Sequence, residues 1–187
     1  MKIIPFYKNE KQLIKKSVEG NREAQHYLYE KHAPKMLGVC RQYVKDVQFA
    51  EDVMINGFVK VFKHLASFKH QGSFEGWIRR IMIRESITYL RKKQFVVFDD
   101  DVYERSNADS ISISSSLDVA HIQKLIDALP EGYKMVFVLY AVEGYKHAEI
   151  AEMLNITEST SKSQLFKARR ILQEKLKEQN ILGYGTH

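Results

Sequence analysis

From Lys11 to about Lys93, apolar residues return every three or four positions almost without a break, which predicts helix throughout. The punctuation is Gly20-Asn21, the Ala33-Pro34 step, Asp46 and the segment Phe68-Lys69-His70-Gln71-Gly72-Ser73, giving about four helices. The pattern then stops. Residues 95–116, FVVFDDDVYERSNADSISISSS, open on an apolar run with the composition of a short strand, turn acidic and end in serines. With no sustained period and little to bury, that segment reads as a flexible linker. Helical patterning resumes at Leu117: LDVAHIQKLIDAL ends before Pro130, EGYKMVFVLYAV ends at Gly144, HAEIAEML ends at Asn155, and a last helix runs to about Glu178. There is no internal repeat. The expected architecture is all-α, with two small helical domains: an N-terminal bundle over residues 1–94 and a C-terminal domain over residues 117–187, joined by the linker.

The end of the chain carries the sharpest local signal. In the eight-residue helix His147 to Leu154, Ile150, Ala151 and Leu154 share one side, and Asn155 suits the left-handed position that closes a helix. Thr157 or Ser159 can cap the last helix. On that helix Leu165, Ala168, Leu172 and Leu176 fall within a narrow arc, with Ser161 on the same side. Opposite lie Ser159, Ser163, Lys167 and Arg170, with Thr160 and Phe166 on the shoulders and Lys162 and Arg169 nearer the core edge. Two helices joined by about four residues, the second presenting short hydroxyls at its start and cations behind them, make a helix-turn-helix suited to the DNA major groove. The alternative is an ordinary solvated face whose basic last turn complements the helix dipole.

Charge changes the picture for the other half. The net charge is +6, but residues 1–94 hold 19 Lys/Arg against 9 Asp/Glu, residues 95–116 hold 1 against 5, and residues 117–187 hold 9 of each. A basic N-terminal half points to a polyanionic partner. Within it, the stretch SFKHQGSFEGWIRRIMIRESITYLRKK puts Phe74, Ile78, Ile81, Met82 and Tyr89 on one helix face and Arg80, Arg84 and Arg91 on another, with Trp77 bordering the arginines. Aromatic rings beside guanidinium groups, after a loop carrying Phe68 and Lys69, suit a strand of unstacked bases. Taken alone, Trp77 fits a core residue equally well.

In order along the chain, VQFAEDVMINGFVKVFKHLASF, the Phe/Trp/Arg helix, an acidic linker, ALPEGYKMVFVLYAVEGYKHAEIAEMLNI and TESTSKSQLFKARRIL resemble the bacterial sigma-70 family of RNA polymerase sigma factors. The compact two-domain form is similar to the extracytoplasmic-function group. The resemblance implies that Glu51, Asp52, Phe58 and Phe62 dock on core RNA polymerase. It further implies that Ser67, Phe68, Lys69, Trp77, Arg80 and Arg84 melt the −10 element and hold a flipped base. The −35 duplex would be read through Thr160, Lys162, Ser163, Phe166 and Lys167, to which the facing of the helix adds Ser159 and Arg170. The implied partners are core polymerase, promoter DNA and an inhibitory anti-sigma factor, with no cofactor and no metal.

Several positions depart from the family's pattern. Ile55-Asn56-Gly57 stands where Gln and an acidic residue are frequent, and a mid-helix glycine costs about 1 kcal/mol, so the polymerase-facing helix is expected to differ locally. Arg84 replaces a frequent Asn in the base pocket, Ser161 a common Val, and Gln164 a common Arg, which would remove a phosphate contact. Other function classes fit less well. An autonomous helix-turn-helix regulator acting as a dimer would have no use for Phe68, Trp77 and Arg84. Catalysis is not expected, because the acidic cluster Asp99-Asp100-Asp101 falls in the linker and no His/Cys/Asp spacing matches a metal site or triad. Cys40 reads as a small buried apolar residue and His64 as a DNA-facing or surface one. No apolar run approaches a membrane span, and the short apolar start is no secretory signal, so the cytosol is expected.

Overall fold

The computed structural model describes residues 10–92 and 119–178, and among them all regular structure is helical. The chain divides into two compact units at Tyr89, in the last turns of the fourth helix. The linker at 95–116, with its apolar FVVF and acidic cluster, lies outside the described residues, as do the expected domain boundaries.

The first unit holds four helices: α1 (Glu10–Val18), α2 (Arg22–Tyr43), α3 (Val47–His64) and α4 (Phe74–Lys92). Two of the sequence's interruptions are caps. The amide of Ala24 donates to Asn21 Oδ1 at 2.9 Å, and that of Phe49 to Asp46 Oδ1 at 3.0 Å, satisfying amides that a helix start leaves without a partner. The Ala33-Pro34 step interrupts nothing, because Pro34 sits inside a continuous α2. Its ring is exposed, and α2 is anchored on both sides of it by buried Leu28, His32, Met36 and Val39, which offsets the one backbone bond that proline forgoes.

Gly57 also departs from expectation. Rather than loosening α3, it lies buried in an unbroken helix where an added Cβ would overlap Met82 Sδ and lie 2.9 Å from Met82 Cε. Met82 is itself fully buried on α4. Gly57 therefore leaves room on α3 for the end of the Met82 side chain, a packing gain that outweighs its poor helix propensity. Cys40 is buried, and desolvation pushes its thiol up to about 11, so it behaves as an apolar filler.

The second unit holds α5 (Val119–Asp127), α6 (Glu131–Phe137), α7 (His147–Leu154) and α8 (Glu158–Glu178); α6 runs on through a π turn over Val138–Val142. Leu129, Tyr133, Ala168 and Ile171 form a core cluster with Phe137 and Leu172 against it. At its edge Lys134, 1% exposed, meets Asp127 at 2.7 Å. The sequence pattern gave no sign that a lysine in EGYKMVF would turn inward; the carboxylate seven residues back makes it tolerable.

Candidate nucleic-acid interface

Between α3 and α4 a 3-10 turn, Leu65–Ser67, and a loop bend the chain back on itself. The loop uses left-handed backbone twice, at Gly72 (φ 94°) and at His70 (φ 55°), the latter uncommon for a side chain larger than Asn. Ser73 Oγ accepts from the Gly76 amide at 3.0 Å and starts α4. The result is a cleft of about 270 Å³ lined by Ser67, Phe68, Lys69, Gln71, Gly72, Ser73, Gly76, Trp77 and Arg80. Five of the six residues expected to meet an opened strand thus come together. Arg84 does not: it is exposed one turn farther along α4, outside the lining.

The cleft is aromatic beneath and cationic at the rim. Phe68 is 9% exposed and packs against Phe74, Trp77 and the edge of His70, with ring centroids 5.2, 5.5 and 4.8 Å away. Phe74 and Trp77 stack at 5.8 Å. Phe68 is therefore a floor on which Trp77 is held, while Lys69 and Arg80 remain exposed. Gln71 and Ser73 add hydrogen-bonding groups that sequence reasoning passed over; they lie in a polar loop with no periodicity to mark them.

Beneath this cluster, His32 of α2 meets Phe74 edge-on at 5.5 Å. Burial, with help from Lys31, holds its imidazole below the ordinary value against the opposing pull of Glu10 and Glu75.

In the second unit, Asn155 takes the left-handed conformation (φ 55°, ψ 49°) and closes α7. Of the two capping candidates the structure chooses Thr157, whose Oγ1 accepts from the Thr160 amide at 3.0 Å. The turn between α7 and α8 is the short one a helix-turn-helix needs. The buried arc of α8 is not the expected one: it runs through Ser161, Gln164, Leu165, Ala168 and Ile171, while Leu172 and Leu176 are only half-buried. The face keeps Ser161, Leu165 and Ala168 but is rotated by roughly 45° at about 100° per residue, because the core of the second unit also takes in Gln164 and Ile171.

That rotation reassigns the surface. Lys162 and Arg169, expected near the core edge, are exposed, as are Ser159 and Arg170, and Phe166 is 68% exposed. Thr160, Ser163 and Lys167 are half-buried at the border. Gln164, fully buried, is no substitute for a phosphate contact at all. Ser163 Oγ donates to the Thr160 carbonyl at 3.0 Å, which leaves its lone pairs as acceptors. Lys162 lies 3.6 Å from Glu158, and Arg170 lies 3.5 Å from Glu174, exposed pairs that a phosphate can displace at little cost.

On α3, Glu51 and Asp52 are exposed as expected, and Phe62 is half-buried. Phe58 is a correction: at 3% exposed, with Tyr29 edge-on at 4.9 Å, it belongs to the core and offers nothing to a partner. The outward apolar residues of α3 are instead Val47, Phe49, Ile55 and Val59. Val47, Ile55 and Val59 line up with Glu51 at four-residue spacing. His64 is exposed. Among the described residues no three His, Cys, Asp or Glu side chains are grouped to hold a metal ion, and no helix is long and apolar enough to cross a membrane.

Two family models match this chain, sigma-70 region 2 over residues 28–96 and sigma-70 region 4 over residues 121–172. The cleft lies in the first match and the helix-turn-helix in the second. The chain belongs to the sigma-70 family. Relatives identify it as an extracytoplasmic-function (ECF) member. It is 26% identical over 181 residues to the ECF RNA polymerase sigma factor SigW of Bacillus subtilis, covering 90% of this chain and 97% of that one. To the RNA polymerase sigma-H factor of Pseudomonas aeruginosa it is 24% identical over 181 residues, covering 89% and 93%. In fold it is similar to the sigma factor RpoE of Bartonella quintana, solved with the anti-sigma factor NepR, at a TM-score of 0.53 and 24% identity over 81% of this chain and 96% of that one. This sigma factor is thus an initiation factor for RNA polymerase and not an enzyme.

Proposed function

We propose that this ECF sigma factor binds core RNA polymerase through the outer face of α3, anchors on the −35 duplex through the start of α8, and traps the opened −10 strand at the cleft between α3 and α4. The cleft carries this reading. An aromatic floor with Lys69 and Arg80 at its rim suits one unstacked base and the phosphates beside it, and it has no role in a regulator that binds duplex DNA unaided. The polymerase-facing surface is Glu51 and Asp52 with Ile55 and Val59, an acidic and apolar strip of one helix. Two weak DNA-binding modules held on one polymerase gain by effective concentration. Such a factor acts in the cytoplasm, and an anti-sigma protein that covers its DNA-binding faces is the expected inhibitor.

The test is association with core polymerase from the source bacterium, then run-off transcription from genomic fragments. Tight binding with new promoter-dependent transcripts is the expected result. A chain that ignores core yet binds a palindromic duplex tightly by itself would instead be an autonomous regulator.

A further inference from the structure

One polar constellation of the second unit lies apart from the residues assigned above to DNA. Ser161, fully buried on the inner face of α8, shares a 2.9 Å hydrogen bond with His147 Nδ1 at the first residue of α7. The other face of this arrangement is closed by Tyr140 from the π turn, whose ring stacks on His147 with centroids 4.7 Å apart. Arg169, farther along α8, sets its guanidinium over the same Tyr140 ring at 5.6 Å. Four side chains thus run from α8, through α7 and the π turn, and back to α8.

We infer that His147 and Ser161 are positioning residues that fix the rotation of α8 in the major groove and so determine which −35 sequence is preferred. The inference rests on the −35 reading proposed above. The geometry supports it in three steps. First, Ser161 and Arg169 are eight residues apart, about 12 Å along the helix axis, so α8 is tied at two separated points and cannot pivot about either. Second, Ser163 lies roughly 200° around α8 from Ser161 at about 100° per residue, so a rotation that releases Ser161 carries Ser163 and its neighbours across the groove floor. Third, a buried hydroxyl is retained at a cost unless it is bonded, and an apolar side chain would fill the space without it. What the hydroxyl adds over an apolar filler is direction: a hydrogen bond fixes an angle where dispersion contacts tolerate slip.

Holoenzyme made from the full chain and core polymerase is offered a promoter fragment, recovered by run-off, whose −35 segment is randomised, and the bound duplexes are sequenced. Wild type enriches a motif. Ser161→Ala and His147→Phe, the latter keeping an aromatic ring against Tyr140, lower the enrichment of that motif over its single mismatches by about fivefold or more, since one base pair is worth that much to a DNA-reading helix. Selection of a randomised −10 segment and affinity for core stay unchanged, and Ser161→Thr, which keeps the hydroxyl, restores the wild-type motif. Unchanged enrichment ratios in the variants, equal weakening on every sequence, or failure of both variants to fold would overturn the inference. Should wild type itself enrich nothing at −35, the −35 reading falls with it; a wild-type motif that the variants retain removes only the positioning role.

Discussion

The two regions proposed to meet DNA are built by opposite means. The face of α8 is the outside of a single helix: its hydroxyls and cations are presented wherever that helix turns outward, from exposed Ser159, Lys162 and Arg170 to half-buried Thr160, Ser163 and Lys167. The cleft is the inside of a fold, made where residues 65–73 bend back over the start of α4 and where Phe74 and Phe68 hold Trp77 from beneath. A helix face can be altered one side chain at a time, with local consequences. A cleft shares its walls with the core, so a change there alters stability and binding together. On the proposed reading, duplex recognition rests on a replaceable surface, and single-strand capture on a feature the fold cannot lose cheaply.

This contrast is tested most severely at the buried pairs behind each region. Asp127→Ala removes the carboxylate that faces buried Lys134 at 2.7 Å and should cost up to about 3–5 kcal/mol, visible as melting of the second unit alone by differential scanning calorimetry. The double variant Asp127→Ala/Lys134→Met should recover most of that loss, because the pair is replaced by apolar packing. Next in size is Gly57→Ala. On propensity alone it would add about 1 kcal/mol. Against the buried Met82 it should instead destabilise the first unit by roughly 1–3 kcal/mol in urea denaturation, and less in a Met82→Ala background.

On α8 the effects should be smaller and separable. Lys167→Ala is expected to weaken promoter binding by about 1 kcal/mol across sequences, with a shallower salt dependence, whereas Ser163→Ala should change sequence preference. Titrating binding to matched and mismatched −35 duplexes against salt distinguishes them, and equal loss on all sequences for both would remove the base-reading role of Ser163. On α3, Val59→Asp should lower affinity for core polymerase without a change in melting temperature, and Phe58→Ala should do the reverse.

The least of the expected effects is pH dependence in the first unit. Folded His32 is held neutral, with its titration below the ordinary 6.5, so the unfolded chain takes up its proton first. The stability it contributes is complete above about pH 6.5, falls as pH drops through that value, and levels off once the folded imidazole also protonates. Because His32 supports Phe74, capture of single-stranded DNA should decline over the same window, and His32→Phe should flatten both curves when stability and binding are measured together.

The helices and their ends were legible because the signals are local: the periodicity of α1 to α8, the interruptions at Asn21 and Asp46, Asn155 in its left-handed turn and the hydroxyl-rich start of α8 are fixed within a few residues of themselves. Five of the nine cleft residues were legible too, Ser67 by the family resemblance alone and Phe68, Lys69, Trp77 and Arg80 also as a cluster of aromatic and cationic types in one short stretch. Less legible was whatever depends on a distant neighbour. Phe58 and Val59 stand side by side in the same helix, and only the packing against Tyr29 turns one inward and leaves the other to a partner. Pro34 looked like an end because a proline's cost is local, but the anchors that offset it are spread along α2. The buried arc of α8 was misplaced by less than half a residue's turn: leucine spacing puts Ser161 on the core side but cannot show that Gln164 and Ile171 join it.

Residue order alone settles that this chain is helical and where most of its helices start and stop, since hydrogen bonding along a helix and the pattern of apolar residues act at short range. Packing decides which side chains face outward, that Gly57 makes room for Met82, and that His147 and Ser161 are joined on the inner side of α8. Those outcomes depend on side chains separated by many residues competing for the same space, and that competition is resolved only when the helices come together.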